Sequence, residues 1–179
     1  MTALATTMLQ YIATRDHRIM RRVNSWRAPR WIRVWMICAT RGGDGWLWGI
    51  IGLVVALVGG ADRWAAIAAA ATASAVGSLL FICLKRKARR KRPCHIAEHC
   101  WARLLPPDQF SFPSGHSITA FAIAVPAGLF YPNLLAGVMF CAVSIAISRI
   151  LLGMHFLSDV LAGCALGGML GYVCFLLYV

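Results

Sequence analysis

The fold is decided by a stretch near the C-terminus, residues 144–163, which read SIAISRILLGMHFLSDVLAG. Arg149, His155 and Asp159 interrupt an otherwise apolar sequence there. Ionisable side chains in or beside membrane-length apolar segments are energetically expensive, and by default they mark a functional site. His155 and Asp159 share one face if the helix is continuous, because they are four residues apart. The stretch predicts two membrane helices with a polar site between them, the alternative being a structural Arg–Asp pair with an incidental histidine.

The composition of the whole chain also indicates a membrane protein. Hydrophobic residues make up 60% of the 179 residues and charged residues 13%, whereas soluble domains average about 45–50% and about 25%. A spanning helix needs about 20 apolar residues. We expect an all-α transmembrane helical bundle with about five spans, at about 44–60, 63–84, 114–131, 134–153 and 157–178.

Residues 1–43 differ from the remainder, because arginines alternate there with tryptophans and aliphatic residues. Neither half of this segment, divided at Pro29, offers a spanning length of apolar residues. We expect two amphipathic helices lying in the membrane interface, with tryptophan at head-group depth. A basic cytoplasmic tail is the alternative. The chain then divides into interfacial helices over 1–43 and a transmembrane domain over 44–179.

The net charge of +12 is concentrated in two basic patches, at residues 15–41 and 85–103. A strongly basic surface favours anionic partners. Both patches adjoin membrane-length apolar segments, so we expect membrane lipids and a phosphorylated substrate as partners, and no nucleic acid.

A second motif, FPSGHS at residues 112–117, directly precedes the third predicted span. A helix that begins there would point free backbone N–H groups and its positive dipole end at an anion. Gly115 would allow close approach of the backbone, and His116 could protonate a leaving oxygen as a general acid. Taken alone, the motif could also be an ordinary helix start.

A third motif, KRKARRKRP at residues 85–93, follows the second predicted span. Alone it would be read as a basic anchor to anionic lipid. Together with Arg149, a helix N-terminus and two histidines, it suits a phosphoryl group, whose transfer depends mainly on positioning and charge neutralisation. The sequence has no carboxylate cluster for Mg²⁺, so we expect side chains and backbone to supply the positive charge, with no metal and no cofactor.

These three motifs resemble the three signatures of the type 2 phosphatidic acid phosphatase (PAP2) family, in the family's order. They are Lys85 followed after six residues by Arg92-Pro93, then PSGH at residues 113–116, then Ser148-Arg149 followed by His155 and Asp159. The resemblance covers the chain from about residue 44 to its end. It implies a PAP2/haloperoxidase-like bundle with metal-independent catalysis.

The resemblance also implies residue roles. His155 would be the nucleophile that forms a phosphohistidine, Asp159 its orienting partner, and His116 the acid for the leaving group. Water would then attack the phosphohistidine. The phosphate would be bound by Lys85, Arg92, Ser114, Gly115 and Arg149. Many membrane members have a further N-terminal span that we do not find, so the basic helices before residue 42 are expected on the active-site face.

The expected function is hydrolysis of a lipid phosphate or pyrophosphate, most naturally undecaprenyl pyrophosphate or phosphatidylglycerophosphate. Lipid A 1-phosphate and phosphatidic acid are alternative substrates. Three other classes of protein stay open at this point. They are a vanadium-dependent haloperoxidase on the same scaffold, a non-catalytic phospholipid-binding membrane protein, and a transporter.

The polar loop before the third span leaves two further questions open. Cys94-His95 and His99-Cys100 could bind zinc, although their spacing is unusual for a structural site, and Cys94 could pair with Cys100 in an oxidising compartment.

The orientation of the protein in the membrane is a separate question. The positive-inside rule favours a cytoplasmic active face, whereas bacterial relatives usually face the periplasm. We expect a multi-pass protein of the bacterial inner membrane with a periplasmic site.

Overall fold

The computed structural model describes residues 3–96 and 109–179, which form seven α-helices. Within these residues there is no β-strand, and a single isolated bridge joins Lys91 to Phe110. The predicted all-α fold is confirmed. The helices are α1 Ala3–Ser25, α2 Arg30–Gly42, α3 Trp46–Val58, α4 Arg63–Ala88, α5 Gly115–Phe130, α6 Leu135–Leu151 and α7 Leu157–Tyr178.

Each of the five predicted spans corresponds to one helix, but the helices differ in length. Three are long and apolar enough to cross a membrane: α4, α7, and α6 with the turn before it (Pro132–Leu151). Helices α2 and α3 pass the same test only as a pair bent by 61°, and α5 has 16 residues. The span predicted at 44–60 is shorter in the structure, because Gly45 adopts φ +121° and α3 ends at Val58.

Helix α5 is the centre of the bundle and packs against α4, α6 and α7. The closest approach is to α7, where a Cβ on Gly167 would lie 2.2 Å from the carbonyl oxygen of Ile118. A Cβ added to Gly163 would lie 2.7 Å from the carbonyl oxygen of Ser114. Small residues let membrane helices pack backbone to backbone. This close packing fixes the start of α5 beside the start of α7.

The outer surface of the bundle is apolar. Large hydrophobic side chains are exposed on its helices, among them Leu57, Leu79, Leu161, Met169 and Leu177. Exposed large hydrophobic side chains in such number are typical of a protein that contacts lipid.

The N-terminal segment forms two helices, as predicted, and both lie against the bundle. Met36 of α2 packs with Leu152 and Met154, which follow α6. Trp35 of α2 stacks on Phe140 of α6, with ring centroids 5.7 Å apart. Helix α1 contacts α6 and α7. Helix α2 therefore extends along α6 from Phe140 to the residues that follow Leu151. The contacts of Met36 lie at the end of the bundle where α4 and α6 finish and where α5 and α7 begin.

Candidate active site

A cavity of about 410 Å³ opens at this end of the bundle. Its walls include five of the predicted site residues, Arg92, Gly115, His116, Arg149 and His155. Three motifs separated by tens of residues in the sequence therefore meet at one place. The other three predicted residues lie beside or behind this cavity, and they are Lys85, Ser114 and Asp159.

His155 lies in the connection between α6 and α7. Gly153 adopts φ +68° after the last turn of α6, and the backbone N–H groups of Met154 and His155 then donate to the carbonyl oxygen of Arg149. A left-handed glycine commonly ends a helix in this way. The turn holds His155 close to Arg149, which explains why the motif needs this short spacing.

The hydrogen bonds of His155 define its tautomer. Its Nδ1 lies 2.6 Å from the carbonyl oxygen of Ser111, and its Nε2 lies 3.1 Å from Nη1 of Arg92. A carbonyl can only accept, so Nδ1 carries the proton and Nε2 carries the lone pair. Burial, and after it the charges of Arg149 and Arg92, lower the pKa of His155 well below its usual value. A nucleophilic histidine requires the neutral imidazole with its lone pair on Nε2. Here that lone pair accepts from Arg92, so attack requires this guanidinium to turn to the oxygens of the bound phosphoryl group.

Asp159 does not hydrogen-bond to His155. Its Oδ2 lies 3.9 Å from Nδ1 of His155, beyond hydrogen-bond range. The carboxylate instead accepts from the backbone N–H of Phe156 at 2.9 Å and from Nη1 of Arg90 at 2.7 Å. The physical reason is that α7 begins at Leu157, so His155 precedes the helix and Asp159 caps it. The carbonyl oxygen of Ser111, and not this carboxylate, accepts the hydrogen bond from Nδ1 of His155. The role of Asp159 in the reaction stays a prediction.

His116 is the second residue of α5 and points at an acidic partner. Its Nε2 lies 2.8 Å from Oδ1 of Asp44, in the turn between α2 and α3. Asp44 also lines the cavity. The sequence contains one indication that Asp44 has a role: acidic residues are scarce, with six in the chain against 18 basic residues.

Arg92 and Arg149 bring two buried guanidinium groups to the cavity, with 3% and 6% of their surface exposed. Nη1 of Arg92 donates to the carbonyl oxygen of Met154 at 2.8 Å, and Nη1 of Arg149 donates to the hydroxyl of Thr40 on α2. These contacts fix two planar forks, which suit the oxygens of a phosphoryl group. Helix α2 therefore positions part of the site.

The remaining predicted phosphate ligands sit at the edges of the cavity. Ser114 is the N-cap of α5, and its oxygen accepts from the backbone N–H and the hydroxyl of Ser117. It orders the helix start that presents Gly115. Lys85 lies over the ring of Phe81, with its Nζ 4.5 Å from the centroid, and Phe81 lines the cavity.

The polar loop is only partly described. Cys94 forms no disulfide with any cysteine among the described residues, and burial raises the pKa of its thiol. His99 and Cys100 lie outside the described residues, so the zinc and disulfide alternatives stay open. Across residues 3–96 and 109–179, no three His, Cys, Asp or Glu side chains are grouped to hold a metal ion.

A buried histidine between two arginines, at the end of a bundle with an apolar exterior, is the arrangement expected of a membrane protein that acts on a phosphoryl group. A family profile described as the PAP2 superfamily matches residues 62–179. The chain belongs to the PAP2 superfamily.

Two solved structures resemble the fold over most of the chain. The PAP2-type phosphatidylglycerolphosphate phosphatase of Bacillus subtilis superposes with a TM-score of 0.71 at 26% identity, covering 92% of this chain and 84% of that one. LpxE of Aquifex aeolicus gives a TM-score of 0.73 at 26% identity, covering 88% and 92%. The first of these is described as transmembrane, in agreement with the apolar helices of this chain.

A lipid A 1-phosphatase of Rhizobium etli is 36% identical over 94 residues. That match covers 50% of this chain and 40% of the relative. The chain thus spans less than half the length of this curated relative.

Proposed function

We propose that the protein is a metal-independent phosphatase of lipid phosphates or pyrophosphates that acts through a phosphohistidine at His155. One observation supports this most strongly. The Nε2 lone pair of a neutral, buried His155 lies in a cavity shared with Arg92 and Arg149. A nucleophile among cationic forks is the arrangement that phosphoryl transfer needs.

The proposed reaction has two steps. Nε2 of His155 attacks phosphorus, the bond to the leaving oxygen breaks, and His116 gives that oxygen its proton. The Nδ1 proton stays on His155, donated to the carbonyl of Ser111, which stabilises the positive charge that develops on the ring. Water then attacks the phosphorus of the phosphohistidine and gives a proton to His116. The bond between phosphorus and Nε2 breaks, phosphate is released, and both histidines return to their starting forms. Arg92, Arg149 and the N-terminus of α5 neutralise the phosphoryl oxygens.

A second cavity supports a lipid as the substrate. It has a volume of about 400 Å³, and among its lining residues only Ser74 and Tyr131 carry a hydroxyl group. The same helices line both cavities in succession. Ser74 and Ala75 of α4 border the apolar cavity, and Ser78, one turn further along α4, borders the polar one. On α5, Ile123 borders the apolar cavity and Thr119, one turn earlier, borders the polar one. A phosphate in the polar cavity would place an attached apolar chain alongside α3 and α4.

The preferred substrates are undecaprenyl pyrophosphate and phosphatidylglycerophosphate, with lipid A 1-phosphate and phosphatidic acid as alternatives. Phosphatidylglycerophosphate is favoured by the likeness to the Bacillus structure, and lipid A by the Rhizobium relative. Phosphate release from all four lipids by the purified protein in detergent would rank them. His155→Ala should abolish release from whichever lipid is cleaved, and activity that survives this change contradicts the mechanism.

We further propose that the protein lies in the bacterial inner membrane with its site toward the periplasm, and that residues 44–179 form the catalytic domain beneath interfacial helices at 1–43. An introduced cysteine at exposed Arg86, beside the site, should react with an impermeant thiol reagent in intact cells. A cysteine at exposed Asp62, at the opposite end of the bundle, should not. The reverse pattern would place the site in the cytoplasm.

A further inference from the structure

Arg90 joins helix α1 to the first turn of α7. Its Nη1 donates to Oδ1 of Asp159 and to Oγ of Ser158, both at 2.7 Å. Its Nη2 donates to Oδ2 of Asp16 at 2.7 Å. Asp16 closes the network, because its Oδ1 accepts the backbone N–H of Ser158 at 3.1 Å and its Oδ2 accepts the Ser158 hydroxyl. Asp16 and Ser158, which are 142 positions apart in the chain, are thus directly hydrogen-bonded.

The network is largely shielded from water. The side chains of Asp16 and Asp159 are 4% and 0% exposed, and that of Arg90 is 26% exposed. Desolvating two carboxylates and a guanidinium is costly, so such a cluster is weak grounds for a role in stability alone. Its forked geometry instead specifies orientation, because each amino group of Arg90 faces a different helix.

This network surrounds the residue next to the nucleophile. The guanidinium carbon of Arg90 lies 4.1 Å from the ring centroid of Phe156, and His17 of α1 contacts the same ring edge-on at 5.3 Å. The backbone N–H of Phe156 donates to Asp159. Behind His155, a small void is bordered by Asp16, Ile19 and Met20 of α1. The back wall of the nucleophile is therefore built partly by the N-terminal helix.

We propose that Asp16 and Arg90 are positioning residues for the phosphatase reaction, and that α1 sets the orientation of His155 through them. Neither residue lines the cavity in which the phosphate would bind, so they act through Ser158, Asp159 and Phe156. The inference rests on the proposed function in one respect, since it requires His155 to be the nucleophile. It gives α1 a task in catalysis besides contact with the membrane surface.

The test compares Asp16→Asn, Arg90→Gln and the double variant with a matched control, Arg86→Gln. Arg86 is exposed in the same basic segment and lies outside the network. We expect kcat on a lipid phosphate to fall about 10- to 100-fold in each network variant, because small misplacements of a reacting group cost this much. KM should change less than about twofold, since the phosphate ligands stay in place. The control should keep the kcat of the unmodified protein.

Two readouts separate positioning from a loss of folding. The double variant should lose about as much kcat as the more damaging of the two single variants and no more, because both changes break one network. Activity should be expressed per folded molecule, from size-exclusion profiles and thermal melts. A normal kcat per folded molecule in Asp16→Asn, or losses that multiply in the double variant, overturns the inference. His155→Gln is measured in parallel. If it stays active, the proposed function fails as well, whereas an inactive His155→Gln with a normal Asp16→Asn overturns the positioning role alone.

Discussion

Replacing Asp44 by Asn should slow the step in which His116 protonates the leaving group. The carboxylate of Asp44 accepts a hydrogen bond from Nε2 of His116 at 2.8 Å, and it stabilises the protonated imidazole. An amide of the same shape keeps the contact but loses the charge. The change therefore acts on the acid and leaves the nucleophile His155 untouched.

The size of the effect follows from exposure. A hydrogen bond to a charged group contributes about 1.5–3 kcal/mol when it is protected from water, and an exposed ion pair about 0.2–1 kcal/mol. The side chains of His116 and Asp44 are 27% and 44% exposed, so we expect about 1 kcal/mol. This corresponds to a decrease in kcat of about fivefold.

The assay compares two lipid substrates that differ only in the leaving group. An alkyl phosphate leaves as an alkoxide and needs the proton, whereas an aryl phosphate leaves as a phenolate and needs it far less. Asp44→Asn should slow the alkyl substrate and leave the aryl one nearly unchanged, with Asp62→Asn at the far end of the bundle as the charge control. An equal loss on both substrates, or none on either, would refute the assignment of His116 and Asp44.

Three further predictions concern the cavity, the nucleophile and the bundle. Ile123→Trp should fill part of the apolar cavity and lower kcat/KM for a long-chain lipid phosphate, while a short-chain phosphate is cleaved at the usual rate; equal effects on both would show that no chain lies there. The folded-state pKa of His155 lies below its usual value of 6.5, so the unfolded chain binds a proton that the folded chain does not. The free energy of unfolding should thus be flat above about pH 7 and decrease as the pH falls below 6.5, and chemical denaturation of His155→Gln should lack this component. Gly167→Ala should lower the free energy of unfolding by about 1–3 kcal/mol through overpacking, because its Cβ would lie 2.2 Å from the Ile118 carbonyl. Gly168→Ala, with its nearest neighbour 4.0 Å away, should not, and equal thermal melts for both variants would contradict the close α5–α7 packing.

The sequence predicted the convergence of the site better than its internal contacts. Arg92, His116, Arg149 and His155 belong to recognisable motifs, and they do line one cavity. The spacing of His155 and Asp159 predicted a direct contact only for a continuous helix. That condition fails, because α7 begins at Leu157.

Asp16, Asp44 and Arg90 could not be assigned from spacing. Asp16 contacts a residue 142 positions away, and Asp44 one 72 positions away. A single carboxylate in an amphipathic helix is ordinarily read as part of a solvated face. Hydropathy also overestimated the span at 44–60, since an apolar run does not reveal where a glycine such as Gly45 will break a helix.

The central claim is that His155 carries the phosphoryl group during turnover. The most direct measurement is rapid acid-free quenching with a lipid phosphate, followed by mass spectrometry of the digested protein. The account predicts phosphate on Nε2 of His155 in the unmodified protein and none anywhere in His155→Gln. Phosphate on another residue, or steady turnover by His155→Gln, would contradict it.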